Sequence, residues 1–281
     1  MKLGELRDLL AAHGLRPNPR FGQNFLVDPA LLSRIPVDAG VEPGDAVLEV
    51  GPGAGSLTFE LLKAGATVVA VELDHGLLRV LRERFEEELE DGRLTLIEGD
   101  ILGPNETMHP EVEAWWVGLE HPPRLVANLP YAISGPFLGR LPGRALSGAT
   151  LLLQREVADK AAGPVGKEEW SPLSIRLHFA FEAQTGRRLP PEVFWPRPKI
   201  DSAFLQLRPK TTALPMASEG VLNEVLRFAF GQRRKTLLGR LRKEFPQWAA
   251  AMEAEGVDAN ARPGSIAPAV WRAALARVES T

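Results

Sequence analysis

The tightest constraint on the fold of this chain lies between residues 46 and 62. Ala46-Val47-Leu48-Glu49-Val50 reads as a buried strand and runs directly into Gly51-Pro52-Gly53-Ala54-Gly55, after which Leu57 to Leu62 reads as a helix. Strand, glycine bend and helix in that order open a doubly wound α/β sheet that binds a nucleotide, because glycines let the backbone approach a ligand that a Cβ would block. The pattern then repeats without the glycines. Thr67-Val68-Val69-Ala70-Val71 is a second strand ending in Glu72-Leu73-Asp74, where an acid suits the hydroxyls of a ribose. Arg93 to Glu98 is a third, ending at Gly99-Asp100-Ile101, with Asp100 placed to accept from an adenine amine and Ile101 as an apolar wall.

A fourth strand, Arg124-Leu125-Val126-Ala127, leads into Asn128-Leu129-Pro130-Tyr131. Asn128 can accept a hydrogen bond through its side-chain oxygen, and Leu129, held extended by Pro130, can turn its carbonyl into the same space. Two acceptors suit an exocyclic amine. The Tyr131 ring offers a stacking face, worth about 1–3 kcal/mol per base in nucleic-acid complexes. An ordinary strand-to-turn junction with a buried asparagine would also produce these four letters.

The 281 residues, 44% hydrophobic and 25% charged, suffice for one large core and a smaller appendage, so two domains are expected, 1–212 and 213–281. There is no cysteine, which removes disulfides, thiolate metal sites and cysteine catalysis and suits a reducing cytoplasm. His13, His75, His109, His121 and His178 lack ligand spacing, so no metal is expected. Residues 1–8 lack the apolar centre of a signal peptide, and no later run is apolar for long enough to suggest a membrane span. The net charge of −3 argues against a polyanion partner, but its distribution argues for one. Residues 187–244 carry thirteen basic side chains against five acidic ones, while Glu86-Glu87-Glu88 lies in an acidic stretch.

Elsewhere the signals are local. Leu3, Leu6, Leu9 and Leu10 share a face of a short helix, and Arg20-Phe21-Gly22-Gln23-Asn24-Phe25-Leu26 reads as a binding loop, so 1–27 forms a helix and loop ahead of the sheet. Asp28-Pro29 starts a helix that Pro36 is expected to kink or end. Gly103 to Pro123, with Trp115-Trp116 and several prolines, reads as a loop or insertion. Thr150 to Gln154 is a fifth strand with a helix beginning near Arg155, and Leu173, Ile175 and Leu177 belong to an apolar element of undetermined type. Phe194 to Lys199 is rigid and extended, Ala203 to Leu207 alternates as a final strand, and 211–218 is linker-like. Short helices follow from about Glu219.

Glu49, two residues before the first glycine, would repel a pyrophosphate and tolerate a cationic ammonium or sulfonium. The cofactor expected is therefore S-adenosylmethionine rather than NAD, and the chain resembles the class I methyltransferases, with Asn128-Leu129-Pro130-Tyr131 similar to those acting on adenine N6. Phe21-Gly22-Gln23-Asn24-Phe25-Leu26, Gln154-Arg155-Glu156-Val157-Ala158, Phe194-Trp195-Pro196-Arg197-Pro198-Lys199-Ile200-Asp201-Ser202 and Phe230-Gly231-Gln232-Arg233-Arg234-Lys235-Thr236 narrow it further. Together they resemble the KsgA family of small-subunit rRNA adenine dimethyltransferases, over nearly the whole chain and in the family's order.

The resemblance implies a class I sheet with a small helical C-terminal domain. It also implies N6,N6-dimethylation of two adjacent adenosines in a hairpin near the 3′ end of 16S rRNA, by a monomer acting on the immature 30S subunit. It implies catalytic roles for Asn128, Leu129, Pro130, Tyr131 and Phe194, the last two sandwiching the flipped base. Cofactor contacts would come from Gln23, Asn24, Leu26, Glu49, Gly51, Gly53, Gly55, Glu72, Leu73, Asp100, Ile101 and Asn128, and RNA contacts from Arg197, Lys199, Arg233, Arg234 and Lys235. Plainer roles stay open for some of these. Glu49 could cap a helix, Glu72 could be a solvated strand end, Asp100 an N-cap, Phe194 a core aromatic, and Arg233-Arg234-Lys235 a solvated helix face. The chain departs from the family pattern in its long 103–123 segment, in Trp170-Ser171-Pro172 where Tyr-Gly is usual, and in few helix formers after Tyr131. The rival functions are a DNA adenine methyltransferase, an RNA-binding assembly factor without need of catalysis, and a dehydrogenase.

Overall fold

A computed structural model describes residues 1–104, 107–211 and 219–280. Helix α1 (Leu3–Ala12), strand β1 (Phe25–Leu26) and helix α2 (Pro29–Asp38) precede an alternating series: β2 (Ala46–Val50), α3 (Ser56–Lys63), β3 (Thr67–Glu72), α4 (His75–Arg84), α5 (Glu86–Glu90) and β4 (Leu94–Glu98). Helix α6 (Pro110–Gly118), β5 (Arg124–Asn128), α7 (Ser134–Leu138), β6 (Gly148–Gln154), α8 (Arg155–Ala162), α9 (Pro172–Ala180), β7 (Phe181–Leu189), β8 (Phe194–Trp195) and β9 (Ser202–Pro209) complete the sheet region. Helices α10 (Glu219–Gly231), α11 (Leu238–Glu244), α12 (Pro246–Ala254) and α13 (Pro268–Glu279) follow.

Seven strands lie in the order β4-β3-β2-β5-β6-β9-β7, the first five parallel and the last two antiparallel. The central strands are mostly apolar because helices cover both faces. Their residues alternate between two cores as a pleated strand requires. Val68, Ala70, Val126 and Leu152 pack with α2 and α3 on one side, while Val69, Val71, Leu125 and Ala127 pack toward α6 and α7 on the other. A third cluster gathers buried side chains of α10–α13 with Trp170, Ile175 and Phe179.

The structure corrects several local expectations. Residues 103–123 contain α6, begun by Pro110 with the His109 Nδ1 accepting from the Glu111 amide at 3.3 Å. Trp116 is buried and donates its Nε1–H to the Ala145 carbonyl at 2.8 Å, so the tryptophan pair anchors a helix. Pro36 does not end α2, which continues to Asp38. The undetermined element is α9, which buries Leu177 and Ala180 in the sheet core and Ile175 and Phe179 in the helical cluster. Being apolar on two sides, it lacks a one-faced helical period. Strand β7 carries little alternating signal because it is an edge strand, largely polar and interrupted by a bulge between Thr185 and Arg188. Of the linker-like stretch, residues 212–218 lie outside the described residues.

The glycine bend fixes how closely the layers approach. Gly55 has φ +79°, and a Cβ there would lie 2.9 Å from Leu81 Cδ2 and closer still to the Phe85 ring. Gly55→Ala is expected to cost about 3 kcal/mol, from left-handed backbone strain and overpacking combined, read as a lowered midpoint in denaturant unfolding.

Candidate active site

Strand order reverses at β2, which has β3 on one side and β5 on the other, so a crevice opens at the carboxyl ends of β2 and β5. There lies a cleft of about 290 Å³. The bend at 51–55 forms one wall and residues 128–133 another, with the 20–26 loop and the ends of β3 and β4 completing it.

The loop is fixed by its own amides. Asn18 caps the turn Pro19–Phe21 by accepting from the Arg20 N–H at 3.0 Å. Gln23 Oε1 accepts from the Asn18 amide at 2.7 Å while its Nε2 donates to Asp74 at 2.8 Å, tying the loop to the start of α4. The Phe25 ring lies beneath Gly53, where a Cβ would sit 2.9 Å from it, and Pro130 lies equally close to Gly51.

Asn128 ends β5 half-buried, and its Nδ2 donates to the Asn24 carbonyl at 3.0 Å. A carbonyl accepts only, so this bond holds the amide nitrogen toward the loop and leaves Oδ1 as the free acceptor. Leu129 is buried and its N–H donates to the Leu152 carbonyl at 2.9 Å. The Tyr131 hydroxyl lies 2.7 Å from Ser202 Oγ at the start of β9, which fixes the ring, and burial raises its pKa. Asn128, Leu129, Pro130 and Tyr131 all line the cleft, as do Gln23, Asn24, Leu26, Glu49, Gly51, Gly53, Glu72, Leu73, Asp100 and Ile101. Gly55 sits behind the wall, against Phe85 and Leu81. Phe194 is not brought to the cleft. It is 3% exposed, paired with Leu26 in the β1–β8 ladder and packed in the core.

The charges in the cleft are unbalanced. Glu49 is 1% exposed, accepts from Thr58 Oγ1 at 2.7 Å, and is pushed up to about 8 by burial, opposed by the Thr58 bond and reinforced by Glu72. Glu72 is also raised by burial, against amide donations from Gly53, Leu73 and Asp74, each at 3.0 Å. Asp100 sits exposed at the rim and accepts from the Leu102 amide at 2.9 Å. Arg20 is the one basic side chain among the described residues lining the cleft. A floor of buried carboxylates without a cation fits a positively charged ligand and disfavours a pyrophosphate.

The sequence profile of the ribosomal RNA adenine dimethylase family matches residues 14–274. The chain belongs to the ribosomal RNA adenine dimethylase family. It is accordingly a methyltransferase of class I fold. Among curated relatives, the ribosomal RNA small subunit methyltransferase A of Magnetococcus marinus is 39% identical over 258 residues, covering 91% of this chain and 89% of its own. That of Thermosynechococcus vestitus is 38% identical over 268 residues, covering 92% and 96%. Among solved structures, the 23S rRNA methyltransferase ErmE superposes with a TM-score of 0.66 at 27% identity, covering 91% of this chain and all of that one. A dimethyladenosine transferase from Plasmodium falciparum superposes at 0.70 with 23% identity, covering 91% and 98% and sharing the fold.

Of the basic residues expected to meet RNA, all five are exposed and none lines the cleft. Arg197 pairs with Glu192. Arg233 donates to the carbonyls of Glu168 at 2.8 Å and Lys167 at 3.4 Å, stitching the turn after α10 to the segment before α9. Arg234 and Lys235 follow in that turn, so the plainer reading of a solvated helix face does not hold for them. Arg20, part of the 20–26 loop but not among the expected contacts, also lines the cleft.

Since Glu49 is raised from 4.5 to about 8, the ligand-free fold holds a proton that the unfolded chain has lost between those values. Its contribution to stability is full below about pH 4.5 and is lost as pH rises through 8. Glu49→Gln, which keeps an acceptor for Thr58, should therefore gain stability over wild type between pH 5 and 8, by at most about 1.4 kcal/mol per pH unit. Denaturant unfolding of both proteins across that range is the check.

Proposed function

We propose that this enzyme binds S-adenosylmethionine against the glycine bend and dimethylates N6 of two adjacent adenosines in a hairpin near the 3′ end of 16S rRNA, during assembly of the 30S subunit. The observation that carries the reading is the cleft itself. Asn128, with its oxygen freed by the Asn24 carbonyl, stands across from a glycine wall whose floor holds Glu49 and Glu72. When bound, S-adenosylmethionine supplies an electrophilic methyl on a sulfonium sulfur.

The residues of this chain then have a defined task. An adenine amine is a poor nucleophile because its lone pair is delocalised into the ring. Asn128 Oδ1 and the Leu129 carbonyl would accept its two hydrogens, letting the nitrogen pyramidalise and directing its lone pair toward the donor. Alignment is their contribution, and effects of that kind reach roughly 7–11 kcal/mol. Tyr131, its ring held through Ser202, would stack on the extruded base. Phe194, packed behind Leu26, would support the β1 edge of the cleft, and would reach the base only if β8 moved. Once methylated, the nitrogen is strongly acidic and sheds one proton to solvent; the hydrogen left meets the same acceptors, so a second transfer needs only room for a methyl. Glu72, Leu73, Asp100 and Ile101 would receive the nucleoside part of the cofactor, and Gln23, Asn24 and Leu26 would close over it.

Residues 213–281 would form a helical RNA-binding domain, in which Arg234 and Lys235 offer exposed charge and Arg233 positions their turn. Arg197 and Lys199 would add contacts nearer the sheet.

Small subunits lacking the modification, incubated with methyl-labelled cofactor, should carry label on adenosines of the 3′-terminal hairpin. Label elsewhere, or on large-subunit RNA alone, overturns the assignment. Asn128→Ala should slow methyl transfer by about 10²-fold or more while the dissociation constant for S-adenosylmethionine changes little. An equal loss of both would make Asn128 a structural residue.

A further inference from the structure

We infer that Arg20 is a substrate-positioning residue that grips the phosphodiester beside the extruded adenosine. The inference rests on the reading of the cleft as an RNA adenine site. Arg20 occupies the turn Pro19–Phe21, whose backbone is held by Asn18, by the Gly22 N–H donating to the Pro19 carbonyl at 3.1 Å, and by Gln23 through Asp74. The turn closes on the catalytic wall, since a Cβ at Gly22 would lie 3.9 Å from the Tyr131 amide. Its arginine therefore stands at the end of the cleft where the base would stack.

The side chain is exposed, and among the described residues its guanidinium makes no hydrogen bond or ion pair. Other exposed arginines differ. Arg197 is paired with Glu192, and Arg155 lies near both Asp159 and Asp201. Arg7 lies over the Trp195 ring. Arg20 alone lines a cleft whose other charged groups are Glu49, Glu72 and Asp100.

That imbalance favours a cationic cofactor and opposes a polyanion. A nucleotide turned out of its helix inserts its base but keeps its phosphates at the mouth, where Asp100 is exposed. One unpaired cation on a rigid turn answers that repulsion where it arises. A planar guanidinium adds the fork that matches two phosphate oxygens, fixing direction as well as charge.

Arg20→Ala and Arg20→Lys, each first shown to keep the wild-type melting temperature, test this. Binding to unmethylated small subunits is measured over a salt series, alongside the dissociation constant for S-adenosylmethionine. Arg20→Ala should weaken subunit binding about tenfold and reduce the slope of log K against log salt by roughly 0.7, with cofactor affinity unchanged. Arg20→Lys should restore the slope but only part of the affinity. Unchanged subunit binding, or weakened cofactor binding with subunit binding intact, overturns the inference; the latter would assign Arg20 to the cofactor's carboxylate. In either case wild-type methylation of the hairpin leaves the function standing. Failure of the wild type to methylate it removes both.

Discussion

Three segments distant in sequence converge on the bend at residues 51–55 at separations that no side chain on the bend would permit. Pro130 from the end of β5 lies against Gly51, the Phe25 ring against Gly53, and Phe85 with Leu81 against Gly55. Close packing of this kind makes the bend a common reference surface. The wall at 128–133, the loop over the cleft and the helix layer behind it are each located relative to the same five residues. The asparagine that ends β5 and the loop carbonyl that orients it are therefore held in register by two contacts to one turn.

Electrostatics complement this geometry. Burying Glu49 and Glu72 without a cation costs free energy that the isolated chain offsets in part by holding a proton on Glu49 and by amide donation to Glu72. A positively charged ligand would relieve the remainder, so the site is destabilised in the absence of what it is shaped to hold. The same negative floor is unfavourable to a polyanion, and the basic side chains of the 197–199 segment and of the turn at 233–235 lie outside the cleft.

The parallel half of the sheet was legible because its inner strands are buried on both faces, giving the largely apolar runs 46–50, 67–71 and 124–127. Glycines and acids at the tips of those strands were legible for a related reason, since a topological switch point draws polar residues to strand ends. Segments answering to two environments were not. Helix α6 opens on Pro110 and carries apolar residues around its circumference, β7 is a polar edge, and α9 serves two cores. Phe194 exposes a different limit. Aromatics beside Pro196 and Pro198 look the same in sequence whether they face a ligand or a strand partner, and only the β1–β8 pairing shows that here the ring is turned inward.

The double allegiance of α9 reaches beyond packing. Leu177 is sealed among sheet residues while Ile175 and Phe179, on the other side of the same two turns, sit among α10–α13. Arg272 of α13 clasps the Phe179 carbonyl at 2.5 Å, and Arg176 clasps the Gly139 carbonyl just after α7 at the same distance. The helix thus acts as a shared spar, tied to α13 through the Phe179 carbonyl and to the end of α7 through Arg176. Grafting the C-terminal helices of a relative onto this sheet would need the outer face of α9 to travel with them.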